Sequence, residues 1–167
     1  MTTPTQGIYF DNNATTMVAP EVVSAMLPYF TEQFGNPSSI HQFGNRVGIA
    51  IKQARAQVQA LLGAEHDSEI IFTSCGTESD STAILSAIKA QPERKEIITT
   101  VVEHPAILAL CEQLEKEGYT IHRLPVDGRG RLDLHAYREL LSERVAIVSV
   151  MWANNETGTL FPVEEMA

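Results

Sequence analysis

The sequence predicts an α/β protein with a mainly parallel sheet and helices on both faces. Apolar, largely β-branched runs recur at residues 70–72, 96–102, 120–126 and 145–151, in steps of about 25 residues. Between them lie segments of helical period, and a parallel pair needs such a crossover where an antiparallel pair needs only a turn. The runs empty into glycine, proline and polar residues, which are strand-ending signals. Together these features give strand–helix–strand units rather than hairpins.

The elements follow in order. Ile8, Tyr9 and Phe10 read as a short apolar strand running into Asp11-Asn12-Asn13, whose side chains bond nearby backbone and favour a turn. Pro20 suits a first helical position, and Val22, Val23, Met26, Leu27 and Phe30 mark one helical face, expected to be core. Residues 35–44, GNPSSIHQFG, form a loop in which His41 reads as a hydrogen-bonded or surface residue before a ligand. Val47, Ala50, Ile51, Ala54, Val58, Leu61 and Leu62 keep a helical period that Gly63 stops.

Ile70, Ile71 and Phe72 are expected to form a buried strand that passes through Thr73-Ser74-Cys75-Gly76 into a helix carrying Ala83, Ile84, Ala87 and Ile88. The first N–H groups of a helix lack intrahelical partners and its dipole favours an anion there, so this connection can hold a phosphoryl group. Gly76 would let the backbone approach and Thr77 would add a hydroxyl. An ordinary connection with Thr77 or Ser79 as N-cap explains the same residues.

After the strand at 96–102 comes Glu103-His104-Pro105. The proline bars helix at His104 and opens the next helix, with Ile107, Leu110, Cys111 and Leu114 on one stripe and Gly118 at its end. His104 thus sits at a strand's C-terminal end, where open α/β sheets bind ligands; a capped strand-end histidine is the plainer alternative. A third strand at 120–126, a turn at 127–130, a short helix at 132–141 and a fourth strand at 145–151 follow. That strand empties into the polar loop WANNETGTL, where the Asn155 amide can donate to an oxygen. Pro162 opens a helix of little more than one turn before Ala167, too short to be stable alone, so the chain reads as cut rather than finished.

With 167 residues, 44% of them apolar, the chain has ample material for a core. Twelve Lys plus Arg against 21 Asp plus Glu give a net charge of −9, which argues against nucleic acid or an anionic membrane as main partner. Only Cys75 and Cys111 are present, without a CxxC pair, so neither a disulfide framework nor a zinc site is suggested. A reducing cytoplasm fits. There is no leader-like segment and no run of about 18 apolar residues.

Five segments, DNNATT, GNPSSIH, CGTESDSTAI, VVEHPA and WANNETGT, make residues 8–167 resemble the N-terminal part of a cysteine desulfurase, closest to the type associated with nitrogen fixation. The resemblance implies the type I, aspartate aminotransferase-like large domain and the cofactor pyridoxal 5'-phosphate (PLP). It divides the chain into an N-terminal segment and helix at 1–34 and an incomplete PLP-binding α/β domain at 35–167. It carries phosphate binding to Gly76 and Thr77, stacking on the cofactor ring and proton movement to His104, and a hydrogen bond to the cofactor's phenolic oxygen to Asn155. An imidazole, with an ordinary pKa of about 6.5, suits that task. The implied reaction takes sulfur from L-cysteine, leaving L-alanine and an enzyme-bound persulfide. An iron–sulfur scaffold, for nitrogenase, would accept the sulfur from a homodimeric enzyme.

The resemblance also places the Schiff-base lysine, the aspartate that pairs the pyridine nitrogen and the persulfide cysteine beyond Ala167. Lys52, Lys89, Lys95 and Lys116 match none of these motifs, nor do Cys75 and Cys111, so this polypeptide alone is expected to be inactive. A non-catalytic phosphate-ligand-binding or complementing domain and another PLP lyase of the same fold stay open as alternatives. A nucleotide site is disfavoured by the lack of a GxxxxGK[ST] run and of a three-glycine fingerprint.

Overall fold

Ile97 and Ile98 alternate across one strand, so one points to each face of a sheet, and both are fully buried. A strand buried on both faces is the centre of a parallel sheet covered by helices. The computed structural model, which describes residues 7–167, has this arrangement. Strands β1 (Glu96–Thr100), β2 (Thr120–Leu124) and β3 (Val145–Val148) form a parallel sheet in the order β2-β1-β3. The register pairs Ile97 with Ile121 on one side and with Ile147 on the other.

Helices α3 (Gly76–Ala90) and α4 (Pro105–Lys116) cover one face through Ile84, Ile88, Ile107, Cys111 and Leu114, packed on Ile97 and Ala146. The other face holds Ile98, Leu124 and Val145 against Tyr137, Leu134 and Leu140 of α5 (Leu134–Leu140). Each fully buried isoleucine stabilises the fold by roughly 1.5–3 kcal/mol relative to exposure. The helix after Pro162 is the single turn α6 (Val163–Met166).

Helix α3 ends where β1 and β3 begin. Gln91 donates to the carbonyl of Ala146 at 3.0 Å and Arg94 to that of Val145 at 3.2 Å. Fifteen helical residues run about 22 Å, longer than the strands, so the first turn of α3 lies at the sheet's C-terminal edge.

The contacts divide the chain into two compact units, one ending at Phe72 and the other spanning Thr73–Ala167. In the first, α1 (Pro20–Thr31) starts at Pro20 as expected, and α2 (Gln42–Leu62) ends at Gly63 in the left-handed region with φ 69°. Gly44 of α2 packs so closely on the carbonyls of Asn36 and Ser39 that a Cβ would not fit. His41 is the N-cap of α2, its Nδ1 accepting from the N–H of Gly44 at 3.4 Å, which is the plain hydrogen-bonded role. The Arg55 guanidinium donates to the carbonyl of Ile70 and lies over the Phe72 ring, 4.8 Å from its centroid.

Four expectations are corrected. Residues 70–72 are not a strand: a strand is held by its ladder, and no described strand pairs with them, leaving Ile71 70% exposed beside a buried Ile70. The sheet therefore has three strands among the described residues and not four. Residues 8–10 likewise pair with no strand among the described residues, and Phe10 is 88% exposed. The apolar face of α1 is not core, since none of its residues is buried and Phe30 is 72% exposed. Periodicity identifies an apolar face but not what covers it.

Candidate functional site

The first turn of α3 is an open ring of donors. Its N-cap is Cys75, in extended conformation and without a side-chain cap, which corrects the expectation of Thr77 or Ser79 in that place. The N–H groups of Gly76 and Thr77 open the helix and by position have no carbonyl one turn back. Nothing lies within 4 Å of where a Gly76 Cβ would be. Glu78 folds back to accept from the N–H and hydroxyl of Ser74, both at 2.6 Å, and those bonds hold its carboxyl below the usual range. Ser74 is thereby engaged, and the Thr77 N–H is turned toward the Cys75 thiol, so the Gly76 N–H and the exposed Thr77 hydroxyl are left as donors to a ligand. The exposed Cys75 thiol is held below its ordinary value by the Glu78 N–H and then the Ser74 hydroxyl.

Beyond β1 the chain turns through Val101–Glu103 into α4. His104 is exposed and serves as the N-cap of α4, its Nδ1 accepting from the Ala106 N–H at 3.1 Å. Both the capping alternative and the position at the strand end thus describe it. With Nδ1 an acceptor, the neutral ring carries its proton on Nε2, leaving that N–H free to donate outward.

Beyond β3 the loop 152–160 is shaped by Asn154. Its Oδ1 accepts from the N–H groups of Glu156 at 3.0 Å and Thr157 at 2.9 Å, and its Nδ2 donates to the Val102 carbonyl at 3.3 Å. Asn155 next to it is exposed, and its amide donates to the Glu156 carboxylate at 2.9 Å. An oxygen ligand at Asn155 has to displace that carboxylate.

Because β1 and β3 are parallel neighbours, His104 and Asn155 come to one edge of the sheet, and the direction of α3 brings Gly76 and Thr77 to the same edge. No hydrogen bond joins the four residues to one another among the described residues. Sequence reasoning missed two neighbours, Glu103 and Asn154. Glu103 is 7% exposed, accepts from Thr100 Oγ1 and the Met151 N–H, and burial pushes its carboxyl up. The signal for it was a charge ending a β-branched run; for Asn154 it was the Asn-Asn-Glu-Thr turn pattern. No group of three or more His, Cys, Asp or Glu among the described residues could hold a metal ion, and no described helix is long and apolar enough to cross a membrane.

An arrangement of helix N-terminus, strand-end histidine and amide loop at one parallel-sheet edge suits a phosphorylated ligand. The family model for aminotransferase class-V matches residues 8–167. Cysteine desulfurase NifS of Azotobacter vinelandii is 75% identical over 160 residues, covering 96% of this chain and 40% of that protein. A cysteine desulfurase of Azospirillum brasilense is 64% identical over 167 residues, covering 97% and 41%. Among solved structures, a NifS-like protein superposes with a TM-score of 0.90 at 40% identity, covering 95% of this chain and 43% of that one. The apo structure of cysteine desulfurase from Thermococcus onnurineus NA1 gives 0.85 at 28% identity, covering 95% and 40%. The chain spans about 40% of the length of the curated relatives it matches. With the whole stretch from Ile8 to Ala167 matched in sequence and its fold matched in space, the chain belongs to the aminotransferase class-V family and closely matches its NifS-type cysteine desulfurases.

Proposed function

We propose that the full-length protein containing this chain is a PLP-dependent cysteine desulfurase. The observation that carries the reading is the 75% identity to a cysteine desulfurase across 96% of the chain. In the overall reaction the C–S bond of L-cysteine breaks, the sulfur joins a protein thiol as a persulfide, and the substrate carbon takes a proton to give L-alanine. PLP, when bound, supplies the electron-accepting ring that this bond cleavage needs.

The residues present fit that cofactor. The Gly76 N–H and the Thr77 hydroxyl at the helix N-terminus, with open space at Gly76, suit its phosphate. His104 offers an exposed ring whose Nε2 faces outward while Nδ1 caps α4, so it can stack and carry a proton without giving up its cap. The Asn155 amide suits the phenolic oxygen once Glu156 releases it. Neither the lysine that would hold the cofactor covalently nor the persulfide cysteine is assigned to this chain. Cys111 is fully buried, and Cys75 stands against the phosphate donors.

By the same reading the protein works as a cytoplasmic homodimer and passes sulfur to an iron–sulfur scaffold serving nitrogenase. The test is to incubate the full-length protein with PLP and L-cysteine and to measure alanine and protein-bound sulfane sulfur. Equimolar alanine and persulfide in a single turnover are expected. A cofactor-loaded protein that forms neither rules the reading out.

A further inference from the structure

We propose that Glu103 is a positioning residue that locks the segment carrying His104 to the loop carrying Asn155, holding the two side chains in register for the cofactor. The proposal rests on the functional reading above. The last backbone rung between β1 and β3 is the Ser149 N–H to the Ile98 carbonyl, at 2.9 Å. Two residues on, the Met151 N–H lies beyond the ladder and donates instead to Glu103 Oε1 at 2.9 Å. The carboxylate is thus a side-chain rung added past the end of the sheet. The same oxygen takes the Thr100 hydroxyl at 3.1 Å, and Thr100 Oγ1 accepts in turn from the Val102 N–H at 3.3 Å, which fixes the turn leading to His104.

A second tie joins the same two segments, from Asn154 Nδ2 to the Val102 carbonyl. Glu103 is the one charged side chain among the buried residues described. An acid buried for its charge would need a cation, and neither a cation nor a salt bridge accompanies it among the described residues. What the site uses is an acceptor oxygen on an arm long enough to reach Met151.

The full-length protein is examined in cofactor-free and cofactor-loaded forms, with Glu103→Gln, Glu103→Ala and Glu103→Asp. Glu103→Ala is expected to speed amide hydrogen exchange at 150–155 about tenfold and to raise the Kd for PLP about tenfold, the effect of one buried hydrogen bond. Glu103→Gln keeps the Oε1 acceptor and should stay within about threefold of wild type in both measurements. Glu103→Asp keeps the charge but is one carbon short of Met151. It should behave like Glu103→Ala, and it serves if the alanine variant does not fold. Unchanged exchange in the Ala and Asp variants, fast exchange with unchanged PLP affinity, or a Gln variant as loose as Ala overturns the proposal. A wild-type protein that binds no PLP, yet loosens at 150–155 on Glu103→Asp, overturns the functional reading and leaves the lock standing.

Discussion

Glu96 on β1 and His122 on β2 meet across the sheet, His122 Nε2 to Glu96 Oε2 at 2.9 Å, while the other Glu96 oxygen takes Arg144 just before β3. One carboxylate therefore fastens all three strands at the end remote from the candidate site. The His122 bond first, and then Arg144, hold the Glu96 carboxyl below its ordinary 4.5. A depressed acid contributes stability that is present above the unfolded value and is lost as pH falls through the folded one. Urea unfolding followed from pH 7 to pH 3 should show wild type losing stability below about 4.5, with a shallower slope in Glu96→Gln. Equal slopes would show that the carboxylate is not linked to folding.

Thr99 offers a gain. Thr99 is fully buried, on the face of β1 that Ile97 also points to, and its hydroxyl has no hydrogen-bond partner among the described residues. Thr99→Val replaces that oxygen by a methyl of similar size, so it is expected to stabilise the fold by about 1 kcal/mol. A lower denaturation midpoint for the valine variant would mean that the hydroxyl has a partner.

The two cysteines should differ sharply in reactivity. Cys75 is exposed, and its thiol is drawn down by the Glu78 N–H; Cys111 is buried, and burial pushes its thiol up. Since the thiolate is the nucleophile, brief treatment of native protein with a thiol reagent should modify Cys75 and spare Cys111, which reacts only on unfolding. Peptide mapping reads the result. Modification of both at one rate would contradict the packing under α4.

Thr77→Val tests the phosphate donors. Losing one hydroxyl donor to an anion should raise the Kd for PLP about tenfold or more while leaving that for unphosphorylated pyridoxal unchanged. Equal weakening of both ligands would place the threonine elsewhere in recognition.

Much of the second unit was legible because its signals are local. The β-branched run at 96–102 gave the buried centre of the sheet, and Pro105 and Gly118 bracketed α4; in the first unit Gly63 ended α2 by the same kind of signal. Residues 70–72 look the same in composition as β1 but are not a strand, because strand formation depends on a neighbour's backbone, which composition does not report. The face of α1 failed for the same reason. Gly76, Thr77, His104 and Asn155 were named from motif wording and expected strand ends, and the topology brings them to one edge even though residues 70–72 are not a strand. Glu103 and Asn154 escaped because each acts through a partner about 50 positions away in the chain, a relation that no local window contains.

The order β2-β1-β3 also sets a timetable for synthesis. The central strand leaves the ribosome before either neighbour. β2 can join it after a short delay, but its other edge stays open until Val145 appears, 45 positions after Thr100. At about 5–20 residues per second that is a wait of a few seconds. During it, Ile97 and Ile98 have only half their sheet, and the nascent chain is most open to mispairing or chaperone capture in that interval.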